Sequence, residues 1–272
     1  MQKKALELSC YIAGAGAFGV FLRWLQVQVA FNELGLVDKS VFNVLVVLFV
    51  IAAAIVYLRF LQQDDARHLY VPEGFTEALG ENHRLFSVLC WFAGAVVVVG
   101  ALLLLAKSET DKYERFLRVL SALGVLSGVS APLFLSMVRR EDANRSLLCV
   151  LSMAPVLLFA AWLVYLYRAN SINSVLWSYV PEIVTVIMAM IAFVRVAGFV
   201  FDCPNGQRVR FDVMLGATLC LMSLADERYM GMQLMLIGSA LLLMLCNWAL
   251  VCNLRQGEQR PQPKPDDGFE HL

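Results

Sequence analysis

The sequence lacks the residues on which most catalysis at membrane depth depends. Only three histidines occur in 272 residues, His68, His83 and His271, and none falls within a long apolar run. No HExxH, Walker or GxGxxG motif is present. A serine nucleophile needs a neighbouring base, and metal-assisted hydrolysis needs ligands at defined spacings. Catalysis is therefore the least supported class of function, and we predict no catalytic residues and no cofactor.

Charge is also scarce, and the cysteines follow no pattern. Charged residues make up 16% of the chain, against about 25% in a typical soluble domain. The 22 basic residues are balanced by 22 acidic ones, so no basic surface is available for a nucleic acid. The seven cysteines form no CxxC pair, which argues against a zinc site or a disulfide framework. We therefore predict no metal site and no nucleic-acid partner.

Hydrophobic residues are what the chain has in abundance. They form 60% of the sequence, and they lie in runs near the ~20 residues that a helix needs to cross a bilayer. Backbone polar groups in lipid must be satisfied within the segment, which favours helices, and the alternation of a barrel strand is absent. The pattern predicts an all-α, polytopic integral membrane helical bundle of about eight transmembrane helices within residues 1–254. The segments are 6–31, 41–61, 85–106, 116–138, 147–167, 180–201, 211–225 and 230–254, and a disordered tail is predicted over 255–272.

The distribution of Lys and Arg between alternate loops predicts the orientation. With eight spans, thirteen of these residues fall on the side of the two termini and seven on the other side, namely Lys39, Lys107, Lys112, Arg115, Arg118, Arg168 and Arg228. Basic residues are retained in the cytoplasm, so both termini and the tail are predicted to be cytoplasmic, in a plasma or inner membrane. Segment 211–225 has only 15 residues. If it were re-entrant, the C-terminus would lie outside.

Ionisable residues within the apolar segments are the first candidates for a site, because each is costly in lipid. Arg23 lies in the first segment, and Glu182 and Arg195 lie in the sixth. Opposite charges at matching depths predict that the first and sixth helices are neighbours and that Arg23 pairs with Glu182. Asp212 begins the next segment and is a competing partner for Arg195. The structural alternative is that these side chains reach interfacial water near the ends of their helices.

The seventh segment is the most polar one. Asp212, Thr218, Cys220, Ser223 and Asp226 fall within a short stretch, so a lipid-facing position is improbable for it. Such a helix lines a water-filled path, or its hydroxyls bond neighbouring helices and its own carbonyls. The sequence leaves both alternatives open.

Two functional hypotheses from different classes follow. The first is a small-solute or ion permease, in which Arg195, Asp212, Glu182, Arg23 and Asp226 bind substrate or form a gate. The second is a non-transporting membrane sensor or assembly subunit, in which the same charges are static pairs. The bilayer is the one partner that composition implies. A homo-oligomer, a partner subunit and the identity of any substrate are all left open by the sequence.

Overall fold

The computed structural model describes residues 1–29, 40–80, 84–108, 113–137, 144–170 and 176–257. These residues form nine α-helices, one 3-10 turn (η1) and two strands of two residues each. The bounds are α1 Gln2–Val29, α2 Ser40–Ala66, β1 Leu69–Tyr70, α3 Phe75–Leu79, α4 Arg84–Ser108, α5 Glu114–Met137, α6 Arg145–Asn170, α7 Leu176–Ala197, α8 Gly206–Met222, η1 Ser223–Ala225, α9 Met230–Cys252 and β2 Arg255–Gln256. The all-α prediction is confirmed.

Seven of the described helices, α1, α2, α4, α5, α6, α7 and α9, are long and apolar enough to cross a membrane. Their outer faces carry many exposed large hydrophobic side chains, such as Phe21, Ile51 and Leu102. Water would not tolerate so much exposed apolar surface on a monomeric soluble protein, whereas lipid solvates it. The protein is therefore a multi-pass membrane protein built as a helical bundle.

The long helices alternate in direction, which gives the bundle two distinct ends. At the end that we call the terminal end, α1 begins, α2 finishes and α9 finishes. Lys4 of α1 pairs there with Asp64 of α2, and Asn253 donates to the backbone carbonyl oxygens of Ala78 and Gly80 at 3.0 Å each. We call the opposite end, where α1 finishes and α9 begins, the distal end.

Helix α8 occupies the centre of one half of the bundle, packed against α1, α2, α7 and α9. It begins beside Val71 at the terminal end, and η1 carries the chain on to Asp226, which contacts Arg23 near the distal end of α1. The 17 residues of α8 and three of η1 rise roughly 31 Å together, about the thickness of the hydrocarbon core. The segment that the sequence left ambiguous therefore runs the length of the bundle and does not fold back as a re-entrant loop.

The other half of the bundle is held by close helix contacts at glycine. A Cβ on Gly128 of α5 would lie 2.7 Å from the carbonyl oxygen of Gly94 in α4, and one on Gly100 would lie 2.6 Å from that of Gly231 in α9. Only residues without a side chain permit these approaches, which bring backbones together and increase dispersion contacts. The glycines therefore serve packing within one bundle.

Two predicted boundaries differ from the structure. The polar stretch after the second segment is not a simple loop, because α2 continues to Ala66 and the short helix α3 follows β1. Residues 255 and 256, predicted to open the disordered tail, instead form β2, where Tyr70 pairs with Arg255 and Leu69 with Gln256. This pairing ties the end of α9 to the end of α2. The remaining tail, 258–272, lies outside the described residues.

Candidate functional site

A buried network of charged and amide side chains lies at the distal end of the bundle. The Arg23 side chain is only 1% exposed, and its Nε donates to Asp226 Oδ1 at 2.6 Å. Arg23 Nη1 donates to Gln26 Oε1 at 2.6 Å, and Gln26 Nε2 donates to Asn43 Oδ1 at 2.5 Å. Asn43 lies in the first turn of α2. The network therefore joins the distal ends of α1 and α2 to the turn that follows α8.

Arg228 extends the same network to α7. Its Nη2 donates to Asp226 Oδ2 and to Ser223 Oγ, both at 2.8 Å, and its Nε lies 3.5 Å from Glu182 Oε1. Two guanidinium groups and two carboxylates thus balance in a nearly dry site. We call Arg23, Glu182, Asp226 and Arg228 the distal charge cluster. Balanced charge is what allows such a group to be buried, because an unpaired ion there would cost several kcal/mol.

The prediction that the first and sixth helices are neighbours, with Arg23 paired to Glu182, is wrong. Helix α8 packs between α1 and α7, so the first and sixth segments are not direct neighbours in the bundle. Asp226 takes the carboxylate position on Arg23 that Glu182 was predicted to fill, and Glu182 faces Arg228 instead. Matching charges by their depth in the membrane did select Arg23 and Glu182, which belong to the same cluster in the structure. Matching by depth could not identify Arg228, because this residue falls in the predicted loop between the seventh and eighth segments.

A second buried cluster lies at the terminal end and was missed by sequence reasoning. Asp64 of α2 pairs with Lys4 of α1, and its Oδ2 lies 2.8 Å from Arg210 Nη1 of α8. Asp64 and Arg210 are 3% and 1% exposed. A signal was available in the sequence, because Tyr57, Leu61 and Asp64 repeat at the helical spacing of one buried face. The polar residues around Asp64 obscured that repeat.

Between the two clusters, the hydroxyl of Thr218, the one hydroxyl in α8, is satisfied by protein groups. Tyr57 Oη lies 2.5 Å from Thr218 Oγ1, and Thr218 Oγ1 also donates to the carbonyl oxygen of Met214 at 2.9 Å. Thr185 of α7 donates to the carbonyl oxygen of Leu219 at 3.3 Å. These contacts favour the structural alternative for the middle of α8, since the Thr218 hydroxyl bonds α2 and its own backbone, and α7 bonds the α8 backbone.

Arg195 and Asp212 face an open cavity at the terminal end. Arg195 Nε lies 3.4 Å from Asp212 Oδ2, so the predicted competing partner of Arg195 is its neighbour in the structure. The Arg195 side chain is 40% exposed and that of Asp212 is 13% exposed. The cavity has a volume of about 470 Å³, and its lining consists of Leu58, Leu61, Gln62, Asp65, Arg195, Gln207, Arg208, Phe211 and Asp212. We call this space the α2–α7 cavity.

The α2–α7 cavity is shallow compared with the bundle. Asp212 lies six residues into α8 and Leu58 eight residues before the end of α2, which places the cavity floor roughly 9–12 Å from the helix ends. The bilayer midplane would lie about 15 Å from either boundary of a ~30 Å core. The cavity therefore reaches the polar ends of α2, α7 and α8 and stops short of the hydroxyl contacts at mid-bundle.

Metal chemistry has no evident site in the part of the chain that the structure describes. No group of three or more His, Cys, Asp or Glu side chains is positioned there to hold a metal ion. The charged groups that the structure brings together at the two ends of α8 include guanidinium and carboxylate groups.

Comparison with known proteins adds no assignment to this geometry. No protein-family model, no curated protein and no solved structure matches the chain. The class that the fold defines is a multi-pass helical membrane protein.

Proposed function

We propose that this protein is a permease for small solutes or ions, with the α2–α7 cavity as its substrate vestibule. The observation that carries the proposal is the contrast between the two ends of α8. Arg195 and Asp212 face an open cavity at one end, whereas the described residues of the distal charge cluster at the other end are buried and paired with one another. A carrier that exposes its site to one side at a time needs one open end and one closed end.

Arg195 is the residue that we assign to substrate attraction. Its guanidinium stays charged under essentially all conditions, and at 3.4 Å its ion pair with Asp212 is longer than a strong charge-assisted hydrogen bond. A loosely paired, partly exposed guanidinium can exchange its carboxylate for an anionic group of a substrate. The distal charge cluster is assigned to the gate, because Arg23, Asp226 and Arg228 make short contacts and are buried.

The proposal is tested by flux in liposomes containing the purified protein. Radiolabelled or fluorescent small anions are screened for uptake by the native protein, by Arg195→Gln and by Asp212→Asn. Both substitutions break the same ion pair, but only the first removes the cation. We expect Arg195→Gln to lower uptake at least tenfold with little change in melting temperature, and Asp212→Asn to keep measurable uptake.

A non-transporting sensor or assembly subunit is the second candidate, and a specific observation favours it. Buried ion pairs hold both ends of α8, Arg210 with Asp64 at its start and Arg23 with Asp226 just after it. Separating such pairs in a low-dielectric interior is costly, so these contacts suit a helix that stays fixed in the bundle as well as one that moves. Absence of flux for every anion tested, with a folded and correctly inserted protein, would contradict the permease and favour this alternative.

A further inference from the structure

The α2–α7 cavity lies between two helices and combines apolar walls with charged groups at its rim. Helix α2 packs on α1 and α8, and α7 packs on α6, α8 and α9, so the cavity lies over α8 in the space between them. Leu58, Leu61 and Phe211 form its apolar part, and Arg195 and Arg208 bring two guanidinium groups to its polar part. An amphiphile matches both parts, because its apolar chain can contact the walls while its charged group contacts the guanidinium groups.

The apolar part of the cavity continues along the outer faces of both flanking helices. Ile51, Ile55 and Leu58 of α2 share one helical face and are 49%, 52% and 46% exposed. On α7, Met188 and Ile191 precede Arg195 at spacings of seven and four residues, which places them on the face of Arg195. Each face therefore runs from apolar residues toward mid-bundle to polar residues at the helix end. This is the order of an acyl chain and a headgroup.

The charged residues of the cavity lie near the helix ends, at the depth where a lipid headgroup would lie. Gln62 and Asp65 lie in the last two turns of α2, Arg195 lies two residues before the end of α7, and Arg208 lies in the first turn of α8. Guanidinium groups bind phosphate oxygens through paired N–H donors, and they do so best at the edge of the hydrocarbon where water is partly excluded.

We infer that the ligand of the α2–α7 cavity is a membrane phospholipid, with its phosphodiester on Arg195 and Arg208 and one acyl chain between α2 and α7. The inference that a phospholipid is the transported substrate rests on the proposed permease function. The inference that a phospholipid binds in the cavity does not. A phospholipid ligand arrives from the bilayer and not from the aqueous phase. In the predicted orientation, the leaflet concerned is the cytoplasmic one.

The binding test uses the purified full-length protein in mixed micelles. Phosphatidylglycerol and phosphatidylethanolamine are added to the native protein, Arg195→Gln and Asp212→Asn, with glycerol 3-phosphate and uncharged diacylglycerol as the two partial ligands. At about ten times the dissociation constant we expect a phospholipid to raise the melting temperature by roughly 3 °C or more. We expect Arg195→Gln to lose that rise and Asp212→Asn to keep it.

Matched controls separate a built site from general charge attraction. Arg67 is exposed at the same end but does not line the cavity, so Arg67→Gln should keep the lipid-dependent rise. Ile55→Asn should weaken phospholipid binding without changing the response to glycerol 3-phosphate. Equal stabilisation by phospholipid in native protein and Arg195→Gln would overturn the inference. So would an equal response to glycerol 3-phosphate, which would identify a soluble phosphate ligand.

The binding and transport experiments can contradict the lipid site and the permease function independently of each other. Flux is measured with a headgroup-labelled phospholipid in the same liposomes, read as the label that becomes accessible across the bilayer. Arg195-dependent binding without lipid or anion flux would refute the permease and leave the lipid site standing. Anion flux without phospholipid-dependent stabilisation would refute the lipid site and leave the permease standing.

Discussion

Breaking the buried pair between Arg23 and Asp226 is the sharpest test of the distal charge cluster. Asp226 accepts from two arginines, at 2.6 Å from Arg23 and 2.8 Å from Arg228, so Asp226→Asn removes one carboxylate charge from the contacts of two buried cations. Loss of one member of a buried pair costs about 3–5 kcal/mol. We expect Asp226→Asn near the upper value. Arg23→Gln should cost about 3 kcal/mol, because Asp226 keeps its contact with Arg228.

The assay is a double-mutant cycle measured by thermal unfolding in one detergent. A loss of about 3 kcal/mol corresponds to a fall of roughly 6–12 °C in melting temperature for a chain of this size. The double substitution should cost at least ~1 kcal/mol less than the sum of the single ones, since residues in contact are coupled.

The exposed pair of Arg118 and Glu114 provides a matched control. Its side chains are 53% and 41% exposed, so screening by water limits its contribution to ~1 kcal/mol or less. If the losses for Arg23 and Asp226 were additive within ~0.5 kcal/mol, or no larger than the loss for the exposed pair, the cluster would not be the stabilising network that we describe.

Three further predictions address packing, hydrogen bonding and orientation. Gly128→Ala should destabilise by ~1–3 kcal/mol through overpacking, whereas Gly14→Ala, whose Cβ would meet nothing within 4 Å, should be neutral or slightly stabilising; thermal unfolding compares them. Tyr57→Phe should cost about 0.5–1.5 kcal/mol, because it removes the hydrogen bond to Thr218, and an unchanged melting temperature would contradict that bond. Cys203, exposed between α7 and α8, should react with a membrane-impermeant thiol reagent only after cells are permeabilised; labelling of intact cells would reverse the predicted orientation.

Some parts of the site followed from residue spacing alone. Asp212 begins the helix after Arg195 across a short turn, so their proximity needs no knowledge of the remaining fold, and the structure places them 3.4 Å apart. Asp226 and Glu182 were identified as candidates because acids are rare at those positions. Their partners were not identified correctly, since Arg23 and Arg228 reach them only through the packing of α8 between α1 and α7.

The buried cluster of Lys4, Asp64 and Arg210 at the terminal end shows why the role of a charged residue near a helix end is difficult to predict from sequence. Gln62, Gln63, Asp64 and Asp65 are all polar, and they follow the end of the predicted second segment at residue 61. The structure extends α2 to Ala66 and buries Asp64 between Lys4 and Arg210, while the adjacent Asp65 stays exposed. Neighbouring residues on a helix point about 100° apart, so one acid enters the core and the next remains in solvent.

The sequence by itself determined the class of protein, because apolar runs of bilayer length have one stable state in lipid, the helix. It also determined which few charges had to be explained. Apart from Arg195 and Asp212, only the tertiary structure decided which of them meet. Contacts between residues as distant as Arg23 and Asp226 depend on helix order and rotation, which the hydrophobic pattern of a membrane helix does not encode when lipid and core are both apolar. For the same reason, the α2–α7 cavity came from the packing of three helices and not from any motif.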